Sequence, residues 1–242
     1  MTENEALFTQ KYRIPFYECD YTKRMKISAI LKYAAEIAGL DYTLKGFGHE
    51  ELWEKQMVFL LSRISFKVLR YPTQQEIINV TTWECGKTGA LFNRGVDFTT
   101  PDWEKLISYI SGWVLVNPIT RKMYRPSHFD FDMPQNLDRE IECLPISKIT
   151  SKNLTPIGKK IVTVSDLDCN GHVYNANYAD MVSDVISKQS YEKDVENYRI
   201  NYINEAKIGE TIELFQEEKS NILTIIGKVG QKICFEVEYI LK

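Results

Sequence analysis

The chain has 242 residues, 44% hydrophobic and 26% charged, with a formal net charge of -3, enough to bury a sizeable core and with no electrostatic bias toward nucleic acid. Its 5 cysteines, at 19, 85, 143, 169 and 234, form no C-x-x-C pair, which argues against a disulfide framework or zinc site and for a reducing compartment. No run approaches the roughly 18 apolar residues that span a bilayer, and MTENEALFTQKYR at the amino terminus has no apolar signal region, so a cytoplasmic protein without a membrane span is expected.

Taken in order, Lys11 to Tyr17 is expected as a strand and Asp20 to Lys26 as a polar turn. A helix follows with Ser28 as its N-cap and an apolar face of Ile30, Tyr33, Ala34, Ile37 and Ala38. GFGHEELWEKQM reads as an extra loop or short helix. SRISFKVLR, EIINVTTWECG, ALFNRGVDFTT and KLISYISGWVLVN then alternate as strands, with turns at Gly86 to Gly89 and at Pro101-Asp102. Arg125 to Lys159, carrying Pro126, Pro134, Pro145 and Pro156, reads as a linker with a short helix near Leu137 to Cys143.

The second half repeats the first. A constant offset carries Ile30, Tyr33, Ala34, Ile37 and Ala38 onto Tyr178, Met181, Val182, Val185 and Ile186, and carries Asp20, Thr22 and Arg24 onto Asp168, Asn170 and His172. A second match sets Arg63 on Arg199 and Leu69 on Glu205, and TIELFQEE, NILTIIGKV and QKICFEVEYIL supply further strands. Each half is thus a strand, a helix and an antiparallel meander, with residues 1–130 and 159–242 as domains and 131–158 as linker. Two such units would pack as a pseudo-dimer.

Chemistry-bearing groups are concentrated in the second copy. Asp168, Asn170 and His172 stand at alternate positions, so in an extended segment their side chains share one side. The first copy has Thr22, Arg24 and Leu69 where the second has Asn170, His172 and Glu205, so acid-base work belongs to the second half and the first is free to bind something apolar. Blander readings compete. Asp168, Asn170 and Gly171 are common turn residues, and Asp166, Asp168 and Asn170 begin like a calcium loop, but Asn177 stands where that loop needs Glu. Cys169 is expected to pack away from its neighbours, and His49 and His128 to be structural or surface residues. No metal or cofactor signature is present, so none is expected.

DCNGH followed by an apolar-striped helix, Glu205 in YINEAKIG, and NPITRKMYRPS before the linker together resemble the acyl-acyl carrier protein thioesterases of plants and bacteria. The resemblance covers nearly the whole chain. It implies an α+β tandem double hotdog that hydrolyses fatty acyl-acyl carrier protein without a cofactor, with Asp168, Asn170, His172 and Glu205 as catalytic residues. Plant members place a Cys directly after the Glu, whereas this chain has Ala206, so a thiol nucleophile at that position is excluded. Without a plastid leader the chain looks like a bacterial, cytosolic member.

A thioester leaves as a thiolate of pKa roughly 8.5 and needs little acid assistance, so activated water should suffice. Glu205 is expected as the general base, Asn170 as the group positioning water or thioester, His172 as a proton-transfer or hydrogen-bonding partner, and Asp168 as an orienting group. Backbone N–H groups at Gly171 and Val173 are expected to face the oxyanion. An assignment with His172 as base and Glu205 as its partner stays open. Trp53, Met57 and Phe59 are candidates to line an acyl pocket, with ordinary core as the safer reading. Lys23, Arg24 and Lys26, or Arg121, Lys122 and Arg125, are candidates to meet the acidic carrier protein, with a solvated face as the competing reading. An acyl-CoA thioesterase and a non-catalytic acyl-binding hotdog are the alternatives, and the resemblance also admits a homodimer.

Overall fold

Five antiparallel strands from each half join into one sheet of ten. The computed structural model describes residues 6–126 and 135–242. The first half contains β1 (Phe8–Arg13), α1 (Ile27–Leu44), α2 (His49–Glu54), β2 (Val58–Val68), β3 (Ile77–Thr88), β4 (Leu91–Thr99) and β5 (Lys105–Val116). In the second are β6 (Thr155–Ile161), α3 (Asn177–Ser183), α4 (Lys188–Glu192), β7 (Val195–Tyr202), β8 (Thr211–Lys219), β9 (Ile222–Val229) and β10 (Lys232–Leu241). Strand order is β1-β3-β4-β5-β2-β7-β10-β9-β8-β6, so the same topology is read inward from either edge. This is the double hotdog architecture.

The halves meet at the antiparallel pair β2 and β7, where Ile64 lies opposite Ile200 and the rings of Phe66 and Tyr198 stack at 4.9 Å. The offset that carries Arg63 onto Arg199 carries Ile64 onto Ile200, so a pseudo-twofold axis passes through that pair. One continuous apolar core spans both halves, with Ile30, Ala34 and Ile37 of α1 and Tyr178, Met181 and Val182 of α3 in the same cluster. Period-four apolar spacing buries these faces against the sheet, as the sequence pattern requires.

Several expectations are corrected. β1 begins at Phe8 and ends at Arg13, and Phe16–Glu18 form a 3-10 turn instead of the end of a strand. Lys26, not Ser28, precedes the first residue of α1, and Ser28 is buried within the first turn. Val185 and Ile186 continue the apolar stripe beyond the end of α3, because the Ser187 hydroxyl accepts from the Ser190 N–H and starts a new helix, α4. Leu137 to Cys143 form no helix. They lie as a strap on polar groups of the sheet: Arg139 bonds buried Asp97 at 2.8 Å, and the Glu142 N–H donates to Ser108 at 2.9 Å. The expected domain boundary at residue 130, Pro134 and His128 lie outside the described residues.

Packing inside the sheet is tight where glycine faces an aromatic ring. A Cβ on Gly95 would sit 2.4 Å from the fully buried Trp83 ring. Gly95→Ala is therefore expected to destabilise the protein by about 1–3 kcal/mol, read as a lower denaturation midpoint with unchanged m-value.

Candidate active site

The segment before α3 is a closed turn, not the extended stretch that period-two spacing implied. One Asp168 carboxylate oxygen accepts from the backbone N–H groups of Asn170 (2.9 Å) and His172 (3.1 Å), and the His172 carbonyl accepts from the Asp168 N–H at 2.8 Å. Gly171 takes φ +78°, which glycine adopts without strain, and donates its N–H to the Asp168 carbonyl at 3.0 Å. This corrects the oxyanion expectation at Gly171, whose amide already has an acceptor. Val173 is buried beside the turn. Asp20 repeats the arrangement in the first half: it accepts from the N–H groups of Thr22 and Arg24, and Lys23 takes the positive φ. Because both copies keep this turn, Asp168 acts on the loop backbone.

Glu205 reaches the loop from the far side. β7 ends at Tyr202, so Glu205 lies in the following loop. That loop is anchored on both sides of the glutamate. The Asn204 side chain donates to the Ile233 carbonyl at 2.7 Å, and the N–H of buried Ala206 donates to the Tyr178 hydroxyl at 3.3 Å. Burial pushes the Tyr178 hydroxyl up to about 12, so it stays protonated near neutrality. Glu205 Oε2 thereby stands 3.3 Å from His172 Nε2, with the two side chains 41% and 58% exposed. Leu69, its counterpart after β2, is an exposed apolar side chain facing no such partner set.

A cleft of about 410 Å³ opens in the first half along α1, lined by Ala35, Glu36, Ala38, Gly39, Tyr42, Phe59 and Trp113 among others. The second half holds a related cavity of about 280 Å³ lined by Ser183, Asp184, Ile186, Ser190, Val195 and Tyr239. Helix offset and strand register relate these linings: Trp113 lies opposite Phe92 as Tyr239 lies opposite Leu223. Asp20 and Arg24 also line the smaller cavity, and by the repeat their counterparts are Asp168 and His172. At the smaller cavity the rim is cross-linked between the halves. Arg24 bonds Asp194 at 2.8 Å, and Tyr191 donates to Asp20 at 3.2 Å while stacking on Tyr21.

A family model described as the acyl-ACP thioesterase N-terminal domain matches residues 5–127, and one described as the C-terminal domain matches residues 150–236. The chain belongs to the acyl-ACP thioesterase family. An acyl-ACP thioesterase from Bacteroides thetaiotaomicron superposes with TM-score 0.92 at 22% identity, covering 100% of both chains. The 12:0-ACP thioesterase from Umbellularia californica gives 0.82 at 18% identity, over 98% of this chain and 97% of that one. At such identities these likenesses show the fold. A palmitoyl-acyl carrier protein thioesterase of Arabidopsis thaliana is 27% identical over 74% of this chain and 47% of its own length, so the chain spans about half the length of curated relatives of this kind. Among the described residues no helix is long and apolar enough to cross a membrane.

Within this thioesterase fold the remaining candidates separate. Phe59 lines the cleft; Met57 is buried behind it against Leu52 and Phe92, and Trp53 is 54% exposed outside the lining. Cys169 is exposed instead of packed. Arg24 is committed to the rim of the smaller cavity, while Arg121, Lys122 and Arg125 are exposed. Sequence reasoning did not single out Tyr178, which holds Ala206, or Tyr202, whose hydroxyl donates to the Asn175 carbonyl at 3.1 Å. Nor did it find the capping box of Thr163 and Asp166, although the T-x-x-D spacing was a usable signal.

Proposed function

We propose that this chain hydrolyses fatty acyl-acyl carrier protein to the free fatty acid and carrier thiol. The observation that carries the reading is the Glu205–His172 pair at 3.3 Å, with buried Ala206 next to the carboxylate. The acyl chain lies in the first-half cleft and the thioester carbonyl sits between Asn170, His172 and Glu205. Glu205 takes a proton from water as its oxygen attacks the carbonyl carbon. The tetrahedral intermediate then collapses, the C–S bond breaks, and the thiolate leaves and takes up the proton. His172 donates its Nε2–H toward Glu205 and fixes the carboxylate, and the Asn170 side-chain amide supplies a donor to the carbonyl oxygen. Asp168 holds the loop that carries both residues. Backbone amides of residues 170–172 serve the turn, which favours a side-chain donor in that role.

The test is a rate comparison on one acyl group carried by acyl carrier protein or by coenzyme A. Faster turnover on the carrier protein is the expected result. Preference for the coenzyme A ester would make the chain an acyl-CoA thioesterase. No hydrolysis of either, at any chain length, would make it an acyl-binding protein.

A further inference from the structure

The first-half cleft, apolar along most of its length, has a buried ionic group in its wall. Arg94 on β4 is 2% exposed and lines the cleft. Its Nε donates to Glu84 at 3.0 Å, one terminal nitrogen to the Ala38 carbonyl at 3.2 Å, and the other to Asp41. The Tyr42 ring lies 4.5 Å from the guanidinium carbon and shares a hydrogen bond with Glu84. Lys45 pairs with the other Asp41 oxygen at 2.7 Å. Desolvating such a group is costly and rarely stabilises a fold over an apolar replacement.

The pseudo-twofold axis shows what the fold itself needs at these positions. Arg94 lies opposite Ser111 and Glu84, and its counterpart Ile225 lies opposite Val237 and Gln216. The same sheet positions are therefore filled by one Ile and one Gln, both uncharged, in the second half. A fixed ion cluster occupies these positions only in the first half, whose cleft the proposed function assigns to the acyl chain.

A second feature lies on α1, beside the Ala38 carbonyl that Arg94 bonds. Gly39 is in the interior of α1, where glycine is less favourable than alanine by about 1 kcal/mol. A Cβ there would meet nothing within 4 Å. The helix forgoes a side chain at a cleft-lining position where one would fit, which keeps the cleft wide.

We propose that Arg94, held by Glu84 and Asp41, is the stop that sets the length of acyl chain this protein accepts, and that Gly39 keeps the approach to it open. Three guanidinium N–H groups are held by protein acceptors, so the buried charge is fixed in place, and a methyl terminus that reaches it meets a polar wall in place of further apolar lining, which is unfavourable. A straight, unsubstituted chain therefore ends at the guanidinium. This rests on the cleft being the acyl site of the proposed function.

The experiment uses the full chain in three forms: wild type, the double variant Arg94→Ile with Glu84→Gln, and Gly39→Leu. The double variant keeps Asp41 paired with Lys45. Each is assayed on acyl carrier protein loaded with a graded series from octanoyl to stearoyl, and each is titrated with the corresponding free fatty acids. One methylene in an apolar pocket discriminates by roughly 10- to 200-fold. The double variant is expected to raise the rate on the chain just beyond the wild-type optimum, relative to that optimum, by at least about 10-fold. Gly39→Leu is expected to move both rate and binding profiles toward shorter chains. Unchanged profiles in the folded variants overturn the proposal. If the double variant does not fold, Gly39→Leu decides alone. Should the wild type bind fatty acids with a length cut-off that the variants move, yet hydrolyse none, the stop stands and the hydrolytic reading falls.

Discussion

Glu205→Gln is expected to lower kcat on a fatty acyl thioester by roughly 100- to 10,000-fold, the range over which a positioned general base contributes. The substitution keeps the shape of the side chain, and the amide oxygen can still accept from His172 Nε2, now 3.3 Å from the carboxylate. Basicity alone is removed. Neighbouring anchors, Asn204 to Ile233 and Ala206 to Tyr178, do not involve the replaced group. At 41% exposure the change should leave stability within about 0.5 kcal/mol. Steady-state kinetics beside a thermal melt reads both parts, and near wild-type turnover would remove Glu205 from the role of base.

His172→Ala is expected to cost less, roughly a hundredfold, which is the scale of losing the positioning of a reacting group. Its loop should survive the change, because Asp168 holds that loop through the backbone N–H of residue 172 and not through the ring. The informative measurement is the double variant. If His172 acts through Glu205, adding His172→Ala to Glu205→Gln should cost almost nothing further, since residues that work as one unit are not additive. A larger loss from His172→Ala than from Glu205→Gln would reverse the assignment and make the imidazole the base.

The repeat was legible because burial imposes a period on sequence. Ile30, Ala34 and Ile37 and their counterparts Tyr178 and Val182 face one shared core, and the strands of both meanders alternate as half-buried sheet requires. The loop was legible for a different reason: Asp168 and Asp20 perform the same backbone task in both copies, so what differs between the copies, Asn170, His172 and Glu205, stands out against a constant frame. What sequence did not reveal depends on contacts between distant segments. Leu137 to Cys143 look helical in isolation, yet Asp97 and Ser108 on the sheet need partners and pull the strap across them. The stripe through Val185 and Ile186 hides the break that Ser187 introduces. Trp53 and Phe59 are equally apolar on paper, and only the course of α2 decides that one meets solvent and the other the cleft. Nothing in the local sequence of Arg94 marks it as part of a cleft wall.

The seam between β2 and β7 gives the protein a division of labour. The proposed water activation belongs to loops of one half and the proposed acyl cleft to the helix of the other, and the two are joined by strand pairing on either side of Ile64 and Ile200. Substitutions that reshape the cleft need not disturb the groups that cleave, and changes to those groups need not alter which chain is held. Across that seam the halves are also tied at the smaller cavity, where Arg24 of the first half bonds Asp194 and Tyr191 of the second donates to Asp20, so the two halves are held as one body by side chains as well as by strand pairing.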